Sequence, residues 1–240
     1  PPQDAQPVNY YLGPDLGLTT EPAKSGEITY THDPSNPVPA VGGRVSTGHP
    51  VLAGPYDQRC SKELLQCDND LPLRLRSDVL AFETALLERD LEVTGPVVAR
   101  LWVSSSAVDT DFVVKLIDQY PPTPDYPEGY AMNVADGIVR ARLRSFTQAG
   151  PGFRRAYAVR NEPLTPGEVY EVTIDLWSVS YLFRAGHRIR LDLSSSSFPH
   201  FDVNPNTGEP FAERRLPAVV AQNTVHTGAD RGSSISLHVR

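Results

Sequence analysis

Residues 185–208 read AGHRIRLDLSSSSFPHFDVNPNTG. The stretch opens on a turn dipeptide, Ala185-Gly186, and then alternates. Ile189, Leu191 and Leu193 fall on one side, Arg188, Arg190 and Asp192 on the other. Successive side chains of a strand point to opposite faces, so this period predicts a strand with one buried face and one wet face. Four serines follow (Ser194 to Ser197), then Phe198-Pro199, then the loop-forming run Asn204-Pro205-Asn206-Thr207-Gly208. A strand therefore feeds a long polar loop, and such a loop is expected at the surface.

The same period recurs upstream. Residues 168–177 set Tyr170, Val172, Ile174 and Leu176 against Glu171, Thr173 and Asp175. Residues 138–144 set Val139, Ala141 and Leu143 against Arg140, Arg142 and Arg144, so the arginine face must be solvated or meet acidic partners. Residues 120–130 hold four prolines and read as a loop, preceded by a strand over 111–119. Residues 97–104 (VVARLWVS) are almost continuously apolar, which predicts a central strand covered on both faces. Shorter strands are expected over 91–93, closed by Gly95-Pro96, and over 79–84. Trp102 and Trp177 fall in strand runs and are expected in the core. Downstream, 222–226 and 235–239 finish the sheet, with Ile235, Leu237 and Val239 inward.

Before residue 78 the signal thins. Val8, Tyr10 and Leu12 could add one short strand, and Ile28, Tyr30 and His32 share one side of another. Residues 33–39 hold three prolines, which forbid regular pairing. Residues 41–70 are polar and Gly/Pro-punctuated, with one helical turn expected at 62–66. Residues 1–77 therefore read as an extended arm and loops packing on a sandwich of residues 78–240, the two together forming one domain. Helical periodicity is nearly absent. Many short strands with Gly/Pro turns predict an all-β sandwich or barrel, and eight or more strands with long crossing loops favour a jelly-roll β-sandwich.

Composition narrows the function. The 240 residues carry 22 Lys and Arg against 29 Asp and Glu, a net charge of −7, which argues against a nucleic-acid partner. No apolar run approaches the length of a membrane span. The only Met is Met132, and a chain opening on Pro1-Pro2 is expected to be a fragment or a processed product. Cys60 and Cys67 have six residues between them. A local disulfide and a reactive pair are both open, but two Cys without clustered His make no zinc site.

No catalytic residue emerges. An activated serine needs a histidine and an orienting acid, and in α/β-hydrolases it sits in Gly-x-Ser-x-Gly on a strand-to-helix elbow. The chain has neither that motif nor alternating strands and helices. The six histidines (His32, His49, His187, His200, His226, His238) form no His-x-x-x-His or His-x-His pair, so no metal is expected, and no cofactor. Asp109 and Asp111 read as turn residues before a strand rather than metal ligands. Ser194 to Ser197 read as residues that satisfy loop backbone. Phe198, His200 and Phe201 stand out, because apolar rings in a polar loop must pack on something.

Several stretches carry a resemblance, in order, over roughly residues 8–240. They are Tyr10-Tyr11-Leu12-Gly13, Asp33-Pro34 before Pro37-Val38-Pro39, residues 90–96 (DLEVTGP) and 101–106 (LWVSSS), Asp109-Thr110-Asp111-Phe112, Asp136-Gly137, Pro166-Gly167 and the opening stretch itself. Together they resemble the C-terminal β-domain of the cocaine esterase / X-Pro dipeptidyl-peptidase (CocE/NonD) family of serine hydrolases. The resemblance implies a galactose-binding-like jelly roll. It also implies that nucleophile, acid and histidine lie upstream of this domain, so none is carried over. The partner it implies is an α/β-hydrolase catalytic domain of the same polypeptide. Phe198, His200, Phe201 and Asn204 are then the candidate interface residues. A free-standing carbohydrate- or protein-binding module is the alternative, with Tyr120, Tyr126 and Tyr130 crowding one loop; an intact small enzyme is a third.

Overall fold

The computed structural model describes residues 2–44, 46, 48, 52–62, 64, 67–148, 156–158, 160–210, 213, 215–228 and 230–240. Thirteen strands are named: β1 (Gln6–Leu12), β2 (Leu18–Thr19), β3 (Gly26–His32), β4 (Leu80–Glu83), β5 (Leu91–Ser105), β6 (Asp111–Tyr120), β7 (Tyr130–Arg140), β8 (Phe146–Gln148), β9 (Ala156–Ala158), β10 (Tyr170–Phe183), β11 (Arg188–Ser194), β12 (Ala221–Thr227) and β13 (Ser234–Val239). No α-helix is present among the described residues, only 3₁₀ turns at Leu73–Leu75 and Ala141–Leu143. No described helix is long and apolar enough to cross a membrane.

Two antiparallel sheets make a β-sandwich. The larger runs β2-β1-β13-β5-β12-β3, with β10 along the other edge of β5; the smaller runs β4-β11-β6-β7. Alternation decides which side chains meet between them. Val97, Ala99, Leu101 and Val103 of β5 and Val172, Ile174 and Leu176 of β10 share one core with Phe112, Val114 and Leu116 of β6 and Ile189, Leu191 and Leu193 of β11. Each buried Val, Leu, Ile or Phe among them stabilises the fold by about 1.5–3 kcal/mol relative to exposure.

Four strand expectations need correction. β5 does not stop at Gly95-Pro96 but runs through it. Pro96 lacks an N–H, and it is tolerated because the ladders on both edges shift there, between Asp175 and Ser178 on β10 and between Ser236 and Val239 on β13. Nor is β5 covered on both faces: Arg100 is exposed, and Val98 and Trp102 are only partly buried. The strand buried on both faces is β6, whose outward Lys115 is covered by Gln58, with Nζ 2.9 Å from Oε1. The polar face of β11 is likewise dry. Arg190 and Asp192 are buried as a bidentate pair, both contacts 2.7 Å, with Arg190 also donating to Gln119.

Residues 138–144 do not form one strand. β7 ends at Arg140 and Ala141–Leu143 closes a 3₁₀ turn. Hydrogen bonds to residues far upstream draw the chain inward there: Ala141 N–H donates to Thr110 O and Arg142 N–H to an Asp109 carboxylate oxygen. Trp177 is not core. It is 45 % exposed, with φ +71° at the irregularity in β10, and Arg44 lies over its ring at 5.2 Å. Cys60 and Cys67 are joined in a disulfide beside a small second cluster of Val38, Val41, Leu73 and Val79. The helical turn expected at 62–66 depends on residues 63, 65 and 66, which lie outside the described residues, as does His49.

Candidate docking loop and its supports

The loop that leaves β11 is built from its serines outward. Ser194 Oγ donates to Ser196 O at 3.1 Å, and Ser196 Oγ accepts the Val38 N–H at 2.8 Å. Ser195 Oγ lies 2.7 Å from the Tyr30 hydroxyl and accepts from Asn223 Nδ2 at 2.8 Å. All four serines are buried, so the first part of the loop lies inside the protein rather than at its surface. These hydroxyls take the place of sheet partners where the strand ends. Phe198 continues the anchoring, its N–H donating to Val38 O at 2.9 Å and its O accepting from Ala40 N–H at 2.7 Å.

Asn204 fixes the far half. It is 1 % exposed, and Nδ2 donates to Asp109 at 3.0 Å and to Asp111 at 2.8 Å. Its Oδ1 accepts the Asn206 N–H at 2.9 Å, closing a side-chain turn. The two aspartates are held from β7 and the turn beyond it. Arg140 grips Asp111 with two hydrogen bonds, 2.9 and 3.0 Å, and Arg142 pairs with Asp109 at 3.1 Å. Arg142 also donates to Gly208 O at 2.8 Å. Asp109 and Asp111 are therefore anchors for two arginines and an amide, not a turn cap. Burial pushes the Asp109 carboxyl up, and the hydrogen bond from Asn204 opposes that shift.

The rings lie between these anchors. His200 stacks on Phe201 with centroids 4.7 Å apart, and its Nδ1 stands 3.6 Å from Asp136, which also takes Arg44 at 3.0 Å. Burial pushes the His200 imidazole down, with the Asp136 charge opposing. Phe198 and Phe201 are both partly buried. Phe201 lines a surface cleft of about 240 Å³ with Asp111, Ile138, Arg140, Leu143 and Asp202. Phe201 thus lies by Asp111 and Arg140, which the Asn204 network also engages, while His200 sits by Asp136 of β7. Asn204 itself is internal and acts by holding the loop. Sequence reading missed Asn206, Arg142 and the role of the aspartates. The signal was present: acids at 109 and 111 against arginines at 140 and 142, with Asp111 opposite Arg140 in register.

Other constellations resolve as structure. His187 Nδ1 lies 2.9 Å from Asp118, which also accepts from Tyr181 at 2.8 Å. His238 Nδ1 lies 3.0 Å from Pro96 O, and His32 Nε2 is 3.4 Å from Asn204 O. One arrangement has the order of a triad: Ser104 Oγ is 3.0 Å from His226 Nε2, with Glu27 3.7 Å from Nδ1. These three are cross-strand neighbours on β5, β12 and β3. Ser104 sits in a regular ladder opposite Thr224, without the elbow that aims N–H groups at a developing oxyanion. Glu27 is too far to orient the imidazole by a hydrogen bond. Among the described residues, no group of three His, Cys, Asp or Glu could hold a metal ion.

Known proteins share this architecture. The chain is 42 % identical over 212 residues to the cocaine esterase of Rhodococcus sp. (strain MB1 Bresler), a match covering 88 % of this chain and 32 % of that protein. An aminopeptidase from a marine sediment Thaumarchaeota archaeon superposes with a TM-score of 0.81 at 33 % identity, covering all of this chain and 37 % of that one. An alpha-amino acid ester hydrolase gives 0.79 at 30 % identity over 97 % of this chain and 36 % of that one. The chain therefore spans about a third of the length of these relatives. Residues 1–236 match the model of the X-Pro dipeptidyl-peptidase C-terminal non-catalytic domain, and the chain belongs to that family.

Proposed function

We propose that this domain supports a serine hydrolase catalytic domain carried in the same polypeptide, and that the parent cleaves ester or amide bonds through an acyl-enzyme. One observation carries the reading. Nearly the whole of this chain matches only about a third of a cocaine esterase, an aminopeptidase and an ester hydrolase. The remainder of such a polypeptide would supply nucleophile, histidine and acid. The domain would seat on it through the loop 194–208, with Phe198 and Phe201 as apolar contacts, His200 stacked behind Phe201, and Asn204 holding the loop in place. By rigidifying the catalytic domain it would help to wall the substrate pocket. Residues 1–77 belong, in this reading, to the same folded unit as 78–240.

The test compares the longer polypeptide with the 240-residue chain. Phe198→Ala and Phe201→Ala should lower the melting temperature of the hydrolase portion more than that of the chain alone. Burying one Phe is worth about 1.5–3 kcal/mol, so a contact of this kind is measurable. Equal losses in both would mean that the rings serve only this domain's own packing.

A further inference from the structure

Residues 216–220 read LPAVV and lead directly into β12. All five are exposed: Leu216 by 59 %, Val219 by 46 % and Val220 by 51 %, with Pro217 and Ala218 between them. Single exposed aliphatic residues are ordinary, but five consecutive apolar residues in water are not.

The strap is also clamped. The Glu209 carboxylate accepts the N–H groups of Arg215 at 3.1 Å and Leu216 at 3.0 Å. Val219 N–H donates to Pro205 O at 2.9 Å, and Asn206 Nδ2 donates to Val219 O at 2.6 Å. Asn206 is in turn fixed by Asn204, and Asn204 by Asp109 and Asp111. Those backbone bonds lower the Glu209 carboxyl, Leu216 N–H contributing most. The fold thus orders a wet apolar segment before any partner arrives, which removes an entropic cost of binding. Val108, in the turn between β5 and β6, lies against Gly208 and adds another exposed aliphatic group.

We infer that residues 216–220 are a second contact surface, continuous with the loop 194–208, that seats on an apolar face of the catalytic domain of the same polypeptide. This rests on the function proposed above. Continuity with the loop and the length of the relatives identify this occupant. The strap hangs on Pro205 and Asn206 of the docking loop, and in the relatives of this domain nearly two thirds of the chain lies outside the match.

Hydroxyl-radical footprinting read by mass spectrometry tests it, on the 240-residue chain and on the longer polypeptide. Leu216, Val219 and Val220 should be oxidised several-fold more slowly in the longer polypeptide. Equal rates in both overturn the inference. Protection in the 240-residue chain that grows with concentration also overturns it, since the occupant is then a second copy. Phe201 separates the two failures. If Phe201 is protected and the strap is not, only the strap falls; if neither is protected, the docking reading falls with it. A paired variant guards against misfolding. Val219→Ser with Val220→Ser should leave the melting of the 240-residue chain unchanged and lower that of the longer polypeptide. A loss confined to the 240-residue chain, or no loss in either, refutes it.

Discussion

Replacing Asn204 with Ala should cost this fold more than its size suggests. The side chain donates to two carboxylates at 3.0 and 2.8 Å and accepts one backbone N–H at 2.9 Å, all from a site 1 % exposed. Hydrogen bonds to charged groups contribute about 1.5–3 kcal/mol each, and an orphaned buried N–H costs about 1–3 kcal/mol. Arg140 and Arg142 still neutralise the aspartates, and water can enter the gap, so the sum is discounted to about 3–5 kcal/mol. In a domain of this length that lowers the melting temperature by about 6–20 °C. Urea unfolding should show the midpoint falling with an unchanged slope, because the surface exposed on unfolding is the same. Asn204→Asp should be at least as damaging, since it sets a third carboxylate against two buried ones. A loss below about 1 kcal/mol for Asn204→Ala would refute the view that this amide holds the loop.

Acid should weaken the domain. Burial lowers the imidazoles of His32, His200 and His226 in the folded protein. A folded-state pKa below the unfolded value means that stability is present above about pH 6.5 and is lost as pH falls through the folded value. Urea midpoints measured from pH 7.5 to 5 should fall, and His32→Gln should flatten the decline; a flat profile for the unaltered protein would contradict this. Asp109 works in the opposite sense and at lower pH, its raised carboxyl regaining stability on protonation. Deleting residues 1–32 removes β1 and β3, with core residues Tyr10, Leu12 and Tyr30. The shortened chain should lose cooperative unfolding; a two-state transition like that of the intact chain would make residues 1–32 dispensable.

The sandwich was legible because alternation is local. The inward sets of β10, β11 and β13 lie where the period puts them, since each strand's pattern depends only on which face meets the core. What alternation cannot say is what covers the other face. Arg190 and Asp192 read as wet because charges usually are; they are dry because they pair with each other on a face next to the buried Lys115. Arg142 left its strand pattern because Asp109, more than thirty residues away, takes its N–H. Trp177 read as core by residue type, yet it sits where β10 breaks register, and no periodicity marks that break. At the loop, Phe198 and Phe201 stand out in the sequence as apolar rings in a polar segment, and both are partly buried. The strap at 216–220 went unremarked because only the structure shows that five apolar residues before β12 face water.

We propose that the chemistry of the longer polypeptide lies outside these 240 residues. A fluorophosphonate probe tests it most directly, applied to the longer polypeptide and to the 240-residue chain, with the modified serine located by mass spectrometry. One labelled serine is expected outside the chain, no label within it, and no hydrolysis of p-nitrophenyl acetate or X-Pro-p-nitroanilide by the chain alone above the buffer rate. Stoichiometric label on Ser104, or on any other serine of this chain, accompanied by loss of a saturable hydrolytic rate, would contradict it.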